Sequence, residues 1–307
     1  MNERPRVLLS AGGTGGHLFP AEALANALKR LGIGVILATD RRAGAYAASF
    51  PADEVIEIAS ATPSGRSPVG MAKAAVMLGA GFVQASRALR RLRPAAVVGF
   101  GGYPTVPPVA AASMLRIPTI IHEQNGVMGR ANRFLARRVS AIATGFPEVR
   151  GIPEGITARV VHTGNPVRPA VIEAARMPFP PALKGGKLRL LVFGGSQGAR
   201  VMSDIVPAAI ERLPKDLLPQ LVLTQQAREE DTLRVMKTYA RSIGHTEVQP
   251  FFKDLPKRMA ESHLVVSRSG ASTVAELAVI GRPAILVPLP GGAERGASRR
   301  PDRPDMN

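Results

Sequence analysis

"RVLLSAGGTGGH", residues 6–17, decides the fold: a short apolar run, four glycines within five positions, then a histidine. The run reads as a buried strand, and the glycines end it before an amphipathic pattern, "LFPAEALANALKRLG", that stops at Gly32. The same order returns at "RLLVFGGSQGAR", residues 189–200, again leading into a helical pattern. Between the two lie "GVILATD", "AAVVGFGG", "IPTIIHE" and "SAIATGF", each short, apolar and bounded by glycine, proline or a polar residue. Strands alternating with helices predict parallel sheets built from βαβ units. The repeated opening predicts an α/β chain of two Rossmann-like domains joined near residue 165. The expected boundaries are a first domain over 1–164, a proline-rich linker over 165–186, an incomplete second domain over 187–290 and a disordered tail over 291–307. Ligands of such folds sit beyond the carboxyl ends of the strands, so the expected site is a cleft on which both sheets open.

Composition narrows the class. The 307 residues are 45 % hydrophobic and 21 % charged, with no cysteine, which excludes a disulfide framework and thiolate chemistry and fits a reducing cytosol. No run approaches the ~20 apolar residues of a membrane span, and the apolar stretch near the start is too short for a signal peptide. The net charge of +17 attracts polyanions. Its basic residues are unevenly placed: Arg66 to Arg93 contains no acid, and Arg130, Arg133, Arg137 and Arg138 follow at helical spacing. Nucleic acid is not expected as a partner, because aromatic residues make up only 4 % of the chain and none is Trp, leaving few base-stacking surfaces.

A helix N-terminus preceded by glycines binds phosphate through unpaired peptide N–H groups, and the missing Cβ lets backbone approach the ligand. The alternative is a tight turn with structural glycines only. The usual phosphate motifs fail here: no G-K-[ST] follows the first loop, and the G-x-G-x-x-G spacing counted from Gly13 ends on Leu18. Asp40 stands where a dehydrogenase would hold ribose, but the glycine spacing argues against that. His17, His122, His162, His245 and His263 show no metal-ligand spacing, and no D-x-D occurs. A diphosphate bound by this chain is therefore expected to meet helix ends and arginines, with no metal and no cofactor.

"GGTGGHLFP", "GFGGYPT", "IIHEQNGVMGRAN", "GNPVR", "FGGSQGAR" and "SRSGASTVAEL" occur in this order. Together they resemble the peptidoglycan glycosyltransferases of family 28, which have the GT-B fold, from about residue 6 to residue 290. The resemblance implies transfer of N-acetylglucosamine (GlcNAc) from UDP-GlcNAc, with inversion, to the C4 hydroxyl of the muramyl sugar of an undecaprenyl-linked acceptor, lipid I, giving lipid II. It implies a peripheral enzyme on the cytoplasmic face of the inner membrane. Gly13, Thr14, Gly15 and Gly16 would cradle the acceptor's diphosphate, and the last three also border the donor. His17 is the expected general base, the alternative being a turn cap or phosphate ligand. Glu123 is the rival base, or else part of a buried network. Tyr103 and Asn132 match positions near the acceptor. Asn125 matches the residue that binds the GlcNAc hydroxyls. In the second domain Ser196, Arg168 and Arg268 would hold the donor phosphates and Glu276 the ribose. The backbone of Phe252 would read uracil, with Phe251 expected in the core. "VGMAKAAVMLGAGFVQASRALRRLRP" would dock on an anionic membrane with Met71, Met77, Leu78 and Phe82 among its apolar residues, or else pack as an ordinary helix.

After "PAILVPLP" (283–290) the chain reads "GGAERGASRRPDRPDMN", where the resemblance implies further helix and strand with donor-binding glutamines. The expectation from this departure is a recognisable fold with a truncated C-terminal part and impaired activity. Ser203 stands where the family commonly has Asn. A lipid glycosyltransferase or a UDP-GlcNAc epimerase of the same fold is the alternative reading.

Overall fold

The computed structural model describes residues 4–61, 68–181, 186–195, 200–240 and 243–288. The chain divides after Pro166 into two compact units. The first contains β1 (Arg6–Ser10), α1 (Gly15–Arg30), β2 (Gly34–Thr39), α2 (Gly44–Ser49), β3 (Glu54–Glu57), α3 (Pro68–Leu92) and β4 (Ala96–Gly99). It continues through α4 (Val106–Met114), β5 (Thr119–Glu123), α5 (Arg130–Leu135), β6 (Ala141–Thr144) and β7 (Arg159–His162).

Its seven strands are parallel, in the order β3-β2-β1-β4-β5-β6-β7. Helices cover both faces, which explains why the central strands are apolar without alternation. Leu9, Val35, Leu37 and Val98 pack with Leu18, Ala21 and Ala25 of α1 on one face. Leu8, Ile36, Val97 and Ile121 pack with Ala85 and Leu89 of α3 and Val109 of α4 on the other. The outer face of α3 is unlike its inner one. Met71, Val76 and Val83 are exposed there, and so are Arg87, Arg90 and Arg91 toward its C-terminus. Of the apolar residues expected on a membrane face, Phe82 packs against the core and Met77 and Leu78 are half-buried, so Val76 and Val83 take their place. No helix among the described residues is long and apolar enough to cross a membrane.

The second unit holds α6 (Pro169–Ala174), β8 (Leu188–Phe193), α7 (Arg200–Ile210), β9 (Leu221–Gln226), α8 (Glu229–Tyr239) and β10 (His245–Gln249). It ends with α9 (Leu255–Ala260), β11 (Leu264–Arg268), α10 (Ala271–Ile280) and β12 (Ala284–Val287). Five parallel strands run in the order β10-β9-β8-β11-β12. Within 165–186, expected as a linker, α6 buries Val171 and Ala174 in this unit's core beside Leu191, Phe193 and Leu277. The buried guanidinium of Arg282 fastens the stretch that follows, donating to the carbonyls of Met177 and Pro178 as well as to those of Ala260 and Ile280, at 2.9–3.1 Å. Four carbonyls are satisfied by one buried side chain, which ties this proline-rich segment to the domain.

Candidate functional site

In the first sheet the strand order reverses between β1 and β4, so the loops that leave these strands diverge and open a crevice at their carboxyl ends. The loop after β1 turns into α1 at Thr14, whose carbonyl accepts from the N–H groups of His17 and Leu18. The first turn of α1 carries no acid of its own, so the positive end of the helix dipole meets no carboxylate from that turn. Thr14 Oγ1 lies 3.0 Å from His17 Nδ1. The loop after β4 supplies the other wall: a Cβ on Gly101 or Gly102 would come within 3.4 Å of the imidazole. Both glycines have positive φ, at 90° and 77°, and Thr105 Oγ1 donates to the Gly101 carbonyl at 2.7 Å, holding that turn. His17 is thus clamped between Thr14 and a glycine turn. Burial holds its pKa below the ordinary histidine value; the Glu123 carboxylate opposes the shift and the Arg42 guanidinium adds to it.

The glycines of the first loop serve different purposes. At Gly13 a Cβ would lie 2.6 Å from the backbone carbon of Arg42, so this glycine exists to let two pieces of backbone meet. At Gly16 a Cβ would meet nothing within 4 Å.

Glu123, at the end of β5, is 1 % exposed and accepts four hydrogen bonds. Oε1 takes the backbone N–H and the Nδ2 of Asn125, both at 3.0 Å. Oε2 takes the Gly129 N–H at 2.9 Å and Asn132 Nδ2 at 2.8 Å. The carboxylate holds both asparagines in place, and its lone pairs are occupied. Asn132 also donates to the His122 carbonyl, while its own Oδ1 is buried without a partner among the described residues. The Asn132 amide lies 3.6 Å from the Cβ position of Gly101, the same glycine that His17 abuts, so the two side chains line one wall. Asn125 is exposed and Tyr103, in the turn before α4, is half-buried. Around them the chain is braced: His122 Nε2–H donates to the Gly164 carbonyl at 3.0 Å, and Asn165 Nδ2 donates to the Gln124 carbonyl at 3.1 Å. Burial keeps His122 neutral, with its pKa lowered.

In the second unit the order reverses between β8 and β11. Arg168, at the start of α6, and Glu276, on α10, form an ion pair at 2.8 Å. Arg268 ends β11, and its Nη2 is buried without a hydrogen-bond partner among the described residues. Phe252 is buried beneath the guanidinium of Arg258, which lies 4.4 Å from the ring centre and is itself tied to Glu247 and Asp254. Phe251, expected in the core, is 52 % exposed; the pair is turned by one residue because the Arg258 cation claims the second ring. Ser203 Oγ, where Asn was expected, is buried and unpartnered. Ser196 lies outside the described residues. Among the described residues no three His, Cys, Asp or Glu side chains gather as a metal-binding group.

Sequence reasoning passed over Arg42 and Thr105. Their signal was positional: each follows a central strand by a few residues, at the crevice.

Two parallel-sheet units, each opening its loops where its strand order reverses, are the architecture of GT-B glycosyltransferases, and the comparisons agree. MurG of Acinetobacter baumannii has a TM-score of 0.65 and 31 % identity over 93 % of this chain and 80 % of that one. A UDP-GlcNAc 2-epimerase from Neisseria meningitidis, bound to UDP-GlcNAc, has a TM-score of 0.63 but 15 % identity over 92 % of this chain and 82 % of that one, which is a likeness of fold alone. Residues 7–144 match the glycosyltransferase family 28 N-terminal domain and residues 189–297 its C-terminal domain. This chain belongs to glycosyltransferase family 28. The C-terminal match runs to residue 297, beyond the position 290 at which the resemblance was expected to end. The UDP-N-acetylglucosamine–N-acetylmuramyl-(pentapeptide) pyrophosphoryl-undecaprenol N-acetylglucosamine transferase of Methylorubrum populi is 65 % identical over 95 % of this chain and 79 % of its own length.

Proposed function

We propose that the chain transfers GlcNAc from UDP-GlcNAc to the C4 hydroxyl of the muramyl sugar in undecaprenyl-pyrophosphoryl-MurNAc-pentapeptide, with inversion, converting lipid I to lipid II. The observation that carries this reading is the clamped, neutral His17 at the start of α1. With Nδ1–H donated to Thr14 Oγ1, Nε2 presents a lone pair that removes the proton from the C4 hydroxyl as its oxygen attacks the anomeric carbon and UDP departs. Glu123 positions Asn125 and Asn132 and does not take the proton, since four donors already fill its carboxylate. The unpartnered Oδ1 of Asn132 accepts from an acceptor hydroxyl, with Tyr103 beside it, and Asn125 binds the GlcNAc hydroxyls. The positive end of α1 from Gly13 to Gly16 takes the acceptor's diphosphate.

In the second unit the unpartnered Nη2 of Arg268 receives a donor phosphate, Arg168 and Ser196 assist, Glu276 binds the ribose and the backbone of Phe252 meets uracil. The outer face of α3, with Met71, Val76 and Val83 ahead of Arg87, Arg90 and Arg91, docks the enzyme on the anionic cytoplasmic face of the inner membrane. The name of the Methylorubrum populi transferase, 65 % identical to this chain, supports the substrates. The test is to incubate the chain with UDP-GlcNAc and a lipid I analogue and to determine the product linkage. A β-1,4-linked disaccharide is expected. Epimerised UDP-sugar, or no transfer, overturns the reading.

A further inference from the structure

Arg41 and Arg42 follow β2 side by side, yet they are held differently. Arg41 pairs with Glu57 in an exposed contact, 90 % and 59 % accessible, of the kind that contributes little. Arg42 is held through Nε and Nη2, each 2.7 Å from Oδ2 of Asp40, whose side chain is 9 % accessible. The other oxygen of Asp40 is buried with no hydrogen-bond partner among the described residues. Burying a carboxylate so incompletely is unfavourable, and a merely solubilising arginine has no need of it. The backbone at Arg42 and Ala43 is seated against Gly13 so closely that a Cβ there would lie 2.6–2.7 Å away. Arg42's charge is also among those that His17 feels. The backbone of Arg42 therefore abuts the turn that begins α1 and its charge reaches His17, while more than half of its side chain faces solvent and Nη1 has no partner among the described residues.

We propose that Arg42 is a diphosphate-binding residue of the first unit, a guanidinium fixed by Asp40 beside the Gly13–Gly16 turn so that its open edge meets the anion held there. The planar fork suits two phosphate oxygens, which a lysine could not match, and its fixed position spares the ordering of a long side chain on binding. This rests on the assignment of that turn to the lipid-linked acceptor. The ligand is the acceptor's diphosphate and not that of the nucleotide sugar, a distinction the UDP measurement tests.

The test uses the full chain and its Arg42→Gln variant, with unchanged thermal melting as the control for folding. Inorganic pyrophosphate is titrated while the His17 imidazole resonance is followed by NMR, and UDP binding is measured separately by calorimetry. The expected result is a His17 shift in the parent whose half-saturating pyrophosphate concentration rises about tenfold in Arg42→Gln, the loss of one charge-assisted contact. UDP affinity stays within about twofold. In the transfer assay KM for the lipid-linked acceptor rises by a similar factor while KM for UDP-GlcNAc does not. Asp40→Asn, which frees the guanidinium, shifts both readouts in the same direction. An unresponsive His17 resonance, an unchanged pyrophosphate titration in Arg42→Gln, or a UDP affinity that falls as far as pyrophosphate affinity overturns the assignment. If the parent transfers no sugar, the proposed function fails, and the pyrophosphate titration still decides Arg42.

Discussion

Arg168 and Glu276, 108 residues apart, converge on a single oxygen: the Nε and Nη2 of the arginine lie 2.9 and 2.8 Å from Oε1 of the glutamate. Both side chains are largely buried, so the pair ties α6 to α10 and closes the core between them. Breaking such a pair leaves a charge stranded. Glu276→Ala should cost about 3–5 kcal/mol of stability, read by denaturant unfolding. Glu276→Gln keeps a hydrogen bond to Arg168 and should recover much of that loss. If Glu276 also binds ribose, KM for UDP-GlcNAc stays raised in Glu276→Gln. A donor KM equal to the parent's confines the glutamate to structure.

His17→Ala should lower kcat about 10²–10⁴-fold with little change in KM for UDP-GlcNAc, as removal of a general base does. The pH profile gives an independent check. A base must be unprotonated to act, and burial favours the neutral ring, so the acid limb of kcat/KM should fall below pH 6.5. A limb above that value assigns the proton to another group.

Glu123→Gln replaces an oxygen by an NH₂ that must face the donors of Asn125, or of Gly129 and Asn132. A donor set against donors should destabilise the fold by about 1–3 kcal/mol, with activity lost through the two misplaced asparagines. A variant as stable as the parent but inactive would instead return Glu123 to proton transfer.

Two glycines three positions apart give opposite expectations. Gly13→Ala forces its methyl into the backbone at Arg42 and should lower the melting temperature markedly. Gly16→Ala places its methyl more than 4 Å from the neighbouring elements among the described residues and lies inside α1, so stability should hold or rise by up to ~1 kcal/mol. Any loss of transfer in Gly16→Ala then reports the approach of a ligand. Full activity there removes Gly16 from the acceptor site.

The chain should co-sediment with phosphatidylglycerol vesicles at low salt and release at high salt, because exposed charge pairs are screened. Val76→Glu with Val83→Glu places acids on the exposed apolar stripe of α3 and should abolish sedimentation without changing thermal stability. Sedimentation that survives the double change moves the contact elsewhere.

The central strands were legible because both of their faces are buried and their sequences are apolar throughout: "RVLLS", "GVILAT" and "LRLLVF" could be little else. The edge strands β3 and β7 were not. Each has four residues, β7 is exposed along its length, and "EVIE" and "RVVH" carry no signal apart from the neighbour each pairs with. The proline-rich stretch before β8 looked like a linker because prolines punctuate it, whereas Arg282, a hundred residues later, makes it part of a core. Among the candidate site residues, His17 and Asn132 were recognisable from their motifs. Their meeting across Gly101 was not, since it depends on β4 lying between β1 and β5. Arg42 lay hidden in a basic chain, indistinguishable by type from Arg41; only the burial of Asp40 separates them.

The end of β5 does two jobs with alternating side chains. Glu123 and Asn125 bond to each other on one side, while His122 and the carbonyl of Gln124 grip Gly164 and Asn165, where the chain departs from the first unit. Anything that pulls on that departing segment therefore tugs a peptide next to the asparagine-holding carboxylate. The wall of the crevice and the exit of the chain share one handle.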